Sequence, residues 1–189
     1  VEVCQKYEVG FCESSLTYPQ AVGRIIYPLR MHGELVGWQA RYVPRFPGDK
    51  PSGGKYYGMP GMHKSSILYN FDRAKDKPFA CIAEGVTVTH NIGDNVMAIL
   101  GKSCSPVQME LIVQRWRGKP VAIMLDREAQ EKARVLAADL AASGCLAFCV
   151  FFPGEQDGAD LVRDEAIWHI SESAKQSGIY LPNFCNPWE

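Results

Sequence analysis

Five carboxylates in the second half of the chain stand where carboxylates do chemistry. Glu84 follows the apolar run 79–83, Asp126 and Glu128 follow the run 121–125, and Asp157 and Asp160 follow the run 146–152. Gathered carboxylates repel one another and cost stability unless something positive neutralises them. An oxygen-only donor set without His or Cys suits Mg²⁺ or Mn²⁺, and such ions bind phosphates. Two of them about 4 Å apart can activate an attacking oxygen and steady a leaving one. Each acid also has a plainer use. Glu128 precedes Lys132 at the i,i+4 spacing of a surface ion pair, and Asp157 or Asp160 suits a helix cap. Glu84 is the hardest to explain that way, because a charge closing a buried strand ahead of Gly85 is an odd surface choice.

The elements that must position these acids are legible as strand-then-helix units. The runs 79–83, 96–100, 121–125 and 146–152 are short, apolar and bounded by Gly, Pro or charged residues, as buried strands are. Ser105 and Pro106 form an N-cap and first-turn proline, and Met109, Ile112, Val113 and Trp116 follow at helical spacing. Residues 128–142 predict an Ala-rich amphipathic helix closed by Gly144, and the acidic loop containing Asp157 and Asp160 opens a last helix through Ile170. Strands alternating with helices imply a mainly parallel four-stranded sheet flanked by helices, whose ligands lie at the carboxyl ends of the strands. All five acids fall on that edge.

The first 78 residues read differently. Residues 24–29 and 35–43 are β-like runs around Met31, His32, Gly33 and Glu34, a hairpin pattern, followed by a Gly/Pro/Lys-rich loop over 44–61. This is the expected smaller, β-rich α+β N-terminal subdomain (1–78), ahead of an α/β domain (79–175) and an irregular tail (176–189). With 189 residues, 47% hydrophobic and 22% charged, the composition is that of a folded globular chain. The net charge of −1 hides an asymmetry: residues 1–80 carry 11 Lys/Arg against 7 Asp/Glu, and residues 81–189 carry 9 against 14. That split suits a cation-binding acidic site beside a surface for phosphates. The seven cysteines are odd in number and form no C-x-x-C or Cys/His cluster, so reduced, mostly buried thiols are expected rather than a zinc site. No apolar run reaches membrane-spanning length and no secretory signal is recognisable, so the cytoplasm is the expected location.

The order EG at 84–85, LG at 100–101, LDRE at 125–128 and FPGEQDGADL at 152–161 resembles the TOPRIM domain of DnaG-type primases, topoisomerases and some nucleases. Upstream, RIIYPLR at 24–30, GWQAR at 37–41, KYY at 55–57, His63-Lys64 and Leu68-Tyr69 follow the order of the DnaG-type bacterial and phage primase catalytic core, over roughly residues 8–170. The resemblance implies synthesis of RNA primers from nucleoside triphosphates on a single-stranded DNA template. It makes Glu84, Asp126 and Glu128 the catalytic and metal-binding acids, with Asp157 and Asp160 as further metal ligands. It assigns nucleotide phosphates to Lys55, Lys64 and Arg41 and template to Arg24 and Arg30. Aromatics such as Trp38, Tyr56 and Tyr57 can pack in a core or stack on bases.

The chain departs from that family at two places. Val88 stands where the family places Asp, and Arg127 puts a cation between the paired acids. The family's zinc-binding and helicase-binding modules have no counterpart in this sequence and there is no initiating Met, so an excised fragment, of phage or plasmid origin, is expected, meeting a replicative helicase through regions absent here. A TOPRIM nuclease and a catalytically inactive TOPRIM binding module are the alternatives.

Overall fold

The computed structural model describes residues 2–50, 53–154, 156 and 158–182. The chain divides into two compact units, Val1–His63 and Lys64–Glu189.

The first unit is built on an antiparallel sheet. After a short helix α1 (Glu2–Lys6) come β1 (Gly10–Phe11), a 3₁₀ turn at Pro19–Ala21, β2 (Arg24–Met31), β3 (Glu34–Tyr42) and β4 (Tyr56–Gly58), paired in sequence order. The expected hairpin is present. Its two-residue loop, His32 (φ 56°) and Gly33 (φ 84°), has left-handed backbone at both positions, the form that matches the twist of adjoining strands. Side chains alternate across the sheet. One face carries Tyr27, Arg41 and Tyr56, and the other carries Trp38, Ala40, Tyr42 and Tyr57.

The second unit opens with a 3₁₀ turn (Lys64–Ser66) and α2 (Phe71–Ala74), and then alternates β5 (Ala80–Ala83), α3 (Val86–Ile92), β6 (Val96–Ala98), α4 (Pro106–Trp116), β7 (Pro120–Met124), α5 (Gln130–Ala142), β8 (Leu146–Cys149) and α6 (Arg163–Gln176). All pairings in the sheet are parallel, in the order β6-β5-β7-β8. The inner strands β5 and β7 are buried along their whole length, as strands covered on both faces must be. On one face Cys81, Ala83, Ala122, Met124 and Phe148 pack with Val88 and Ile92 of α3 and Ala166, Ile170 and Ala174 of α6. Trp116 and Ile112 of α4 and Ala133 and Leu140 of α5 are fully buried.

Residues 64–78 pack in the second unit. Tyr69 and Ala98 exchange backbone hydrogen bonds of 2.9 and 3.3 Å, the Asn70 side chain donates to Val96 O at 2.9 Å, and Trp116 Nε1 donates to Lys77 O at 3.2 Å. Gln108 fixes the same segment. Its amide donates to the carbonyls of Ile67 (2.7 Å) and Ile99 (3.1 Å) while its oxygen closes the capping box with Ser105.

Candidate functional site

The carboxyl edge of the parallel sheet brings Glu84, Asp126 and Glu128 into one electrostatic neighbourhood. Glu84 leaves β5 just before Gly85 opens α3, so the backbone turns sharply beneath its side chain. One of its carboxylate oxygens, Oε2, is enclosed without a hydrogen-bond partner. Burial and then the negative charge of Asp126 push the Glu84 carboxyl above its usual range, while Lys102 pulls the other way. Asp126 caps the 3₁₀ turn Arg127–Ala129, its carbonyl accepting from Ala129 N at 2.7 Å.

Cations enter the same edge. Lys102 forms an ion pair with Glu128, which holds the Glu128 carboxyl below its usual range and the Lys102 ammonium above its own. The alternative use of Glu128, an i,i+4 pair with Lys132, does not form: Lys132 Nζ donates to Ser103 Oγ at 3.0 Å. Lys102 comes from the turn after β6, where Leu100 adopts a left-handed φ of 60°. A branched residue in that conformation is strained, and such strain gathers where a side chain must be aimed. Arg127, the cation between the two acids, turns away and donates to Gly154 O at 3.1 Å. Sequence reasoning missed Lys102. Its only signal was a Lys directly after the Leu100-Gly101 strand end.

Asp160 lies exposed in the turns between β8 and α6, while Asp157 lies outside the described residues. The segment near Asp160 is tied down by Asn91, whose Nδ2 donates to Gly158 O at 2.8 Å and Leu161 O at 2.9 Å. Val88 lies in the core, its Cγ1 only 2.9 Å from where a Cβ on Gly158 would stand. Among the described residues no group of three or more His, Cys, Asp and Glu side chains is arranged to hold a metal ion. The pair Glu84 and Asp126 nevertheless fits a hard divalent cation. Mg²⁺ is commonly held by one or two carboxylates completed by water and substrate phosphate, and the orphaned Glu84 Oε2 is an atom that such an ion would satisfy.

In the first unit, Arg41 and Lys55 converge on Tyr56, with the Arg41 guanidinium 5.7 Å and the Lys55 ammonium 5.8 Å from the ring centre. Arg30 is exposed and paired with Glu8 at 2.8 Å. Arg24, expected as a template contact, is largely enclosed. It is 5% exposed, and its guanidinium donates to the carbonyls of Gln20 (2.9 Å), Gly54 (3.0 Å) and Lys55 (3.3 Å), so its donors serve the loop rather than an external phosphate. Trp38 packs edge-on against Tyr18 at 5.1 Å and at a tilt against Tyr57 at 5.7 Å. Lys64 is exposed and belongs to the second unit.

A four-stranded parallel sheet with one acid after an inner strand and an acidic pair after its neighbour, joined in one chain to an antiparallel sheet, is a TOPRIM-like α/β architecture. No family model matches the chain, and no curated protein is significantly similar to it in sequence. Solved structures are similar. The zinc-binding and RNA polymerase domains of the Aquifex aeolicus primase superpose with a TM-score of 0.74 at 19% identity, over 91% of this chain and 52% of that one. The RNA polymerase domain of Mycobacterium tuberculosis DnaG, in complex with a double-stranded DNA oligomer bearing a 6-nucleotide overhang, superposes at 0.71 with 20% identity, over 93% of this chain and 69% of that one. A DnaG primase catalytic domain bound to single-stranded DNA superposes at 0.70 with 20% identity, over 93% and 67%. The chain has the fold of the DnaG primase catalytic core and spans about half the length of the Aquifex chain.

Proposed function

We propose that the chain is the core of a primase-type nucleotidyltransferase, which joins nucleoside triphosphates into RNA on a single-stranded DNA template. The observation that carries this reading is the extent of the likeness: 91% of the chain, more than either compact unit contains, is matched by one primase polypeptide. Three of the similar structures hold DNA.

In this reading Glu84 and Asp126 hold a divalent cation, Mg²⁺ or Mn²⁺, which when bound neutralises phosphoryl oxygens and favours ionisation of the attacking hydroxyl. Glu84, its carboxyl raised by burial and by Asp126, is a better proton acceptor than an ordinary carboxylate and is placed to receive the proton of that hydroxyl. In the second unit Lys64 supplies an exposed point charge for phosphate. In the first unit Arg41 with Lys55 forms a cationic surface for phosphate beside the Tyr56 ring. Arg30, exposed on β2, serves the template backbone. The test is incorporation of labelled ribonucleotides on single-stranded DNA with Mg²⁺ or Mn²⁺, with Glu84→Gln as the inactive control. Incorporation that Glu84→Gln abolishes supports the reading, whereas a metal-loaded wild type that incorporates nothing overturns it. The pairing of Glu128 with Lys102 favours one rival, a non-catalytic TOPRIM module that binds nucleic acid, and that rival predicts DNA binding unaffected by Glu84→Gln.

A further inference from the structure

The acidic edge contains its own counter-ion. Lys102 lies within electrostatic reach of Glu84 and Asp126 and is hydrogen-bonded to Glu128. A second ammonium, Lys132, acts on Glu84 from α5 and is held by Ser103, the residue after Lys102. Both lysines are exposed, so a phosphate arriving from solvent can reach them without unfolding anything. The pair between Lys102 and Glu128 is itself exposed, with side-chain accessibilities of 51% and 66%, and exposed pairs are weak enough to be exchanged for a better partner. A triphosphate is a better partner for an ammonium than a single carboxylate, because it offers more charge and several acceptor oxygens.

We propose that Lys102 is a positioning residue that occupies Glu128 in place of metal until a nucleoside triphosphate takes the lysine over. Resting on the nucleotidyltransferase reading, this makes metal and nucleotide binding mutually reinforcing. Without nucleotide, a divalent cation meets Glu84 and Asp126 and is repelled by a nearby ammonium. With nucleotide, the ammonium turns to phosphate and Glu128 becomes free to act as a third carboxylate. Linkage then requires that metal tighten nucleotide binding by the same factor by which nucleotide tightens metal binding.

The experiment is calorimetric titration of Mn²⁺ into the wild type, Lys102→Met and the double variant Lys102→Met/Glu128→Gln, each with and without a non-hydrolysable ATP analogue. Lys102→Met keeps the aliphatic stem and removes the charge at an exposed site, so folding is retained and is checked by circular dichroism. The expected result is that Lys102→Met alone binds Mn²⁺ roughly three- to tenfold more tightly than the wild type in the absence of nucleotide, the range that losing a weak pair and one repelling charge allows. The double variant returns toward wild-type affinity, and the tightening caused by the analogue is smaller in Lys102→Met than in the wild type. Unchanged or weaker Mn²⁺ binding by Lys102→Met overturns the proposal while leaving the metal-dependent reading intact. Absence of Mn²⁺ binding in every variant, with and without the analogue, removes the metal site and the proposal together.

Discussion

Glu84 is placed at some cost to the fold. Because burial and Asp126 raise its carboxyl above the unfolded value, the folded state retains the proton to higher pH than the unfolded chain does. The associated stability is present below the ordinary carboxyl range and is lost as pH rises through the raised value. Glu84→Gln removes that loss, so its melting temperature should exceed that of the wild type at pH 8 and converge on it towards pH 4. Thermal melts across that range check the sign, and a primer-synthesis assay on the same samples should show activity lost by at least about a hundredfold. Arg24 behaves in the opposite way. Arg24→Ala leaves the carbonyls of Gln20, Gly54 and Lys55 without their donor, so it should cost about 2 kcal/mol in urea unfolding and leave the salt dependence of DNA binding unchanged. A weaker salt dependence with unchanged stability would return Arg24 to the template surface.

At the scale of elements, α3 is the least expected feature. Its sequence is rich in β-branched residues, Val86, Thr87, Val88 and Thr89, which lower helix propensity, and only three residues separate it from the next strand. Tertiary packing overrides propensity here: Val88 and Ile92 are buried against Phe148, Val150 and Ala166, and the helix lets β5 and β6 pair in parallel. The same packing explains the departure at Val88. A carboxylate there would replace a buried methyl group beside Gly158, so Val88→Asp should destabilise the second unit by about 3 kcal/mol or more and gain no metal affinity. Chemical denaturation and Mn²⁺ titration test the two halves of that statement. By contrast, the start of α4 was legible, because Ser105 and Pro106 supply an N-cap and a first-turn proline, and the structure adds Gln108 to close a capping box.

For the whole molecule, the charge asymmetry is softer than a boundary at residue 78 implies. The unit Val1–His63 holds 7 Lys/Arg against 5 Asp/Glu, because Lys64, Arg73, Lys75 and Lys77 belong to the other unit. Phosphate contacts are therefore expected from both units. Single-stranded DNA affinity should fall as salt rises, with a log–log slope of about −0.7 for each phosphate neutralised, and Arg41→Ala with Lys55→Ala should make that slope shallower. Fluorescence anisotropy at several salt concentrations measures it, and a flat response would remove nucleic acid as a ligand. The alternating pattern of short apolar runs and helices, with turn residues between them, by itself determined the parallel sheet, the hairpin and the strand-end placement of Glu84, Asp126 and Glu128. These are local matters of periodicity and chain punctuation. Tertiary contact decided that Glu128 meets Lys102 rather than Lys132, that Arg24 is consumed by carbonyls 30 and 31 residues away, and that residues 64–78 pack in the second unit. Spacing along a chain shows which partners are possible, but the one that forms depends on which strand ends and loops the fold brings within hydrogen-bonding distance.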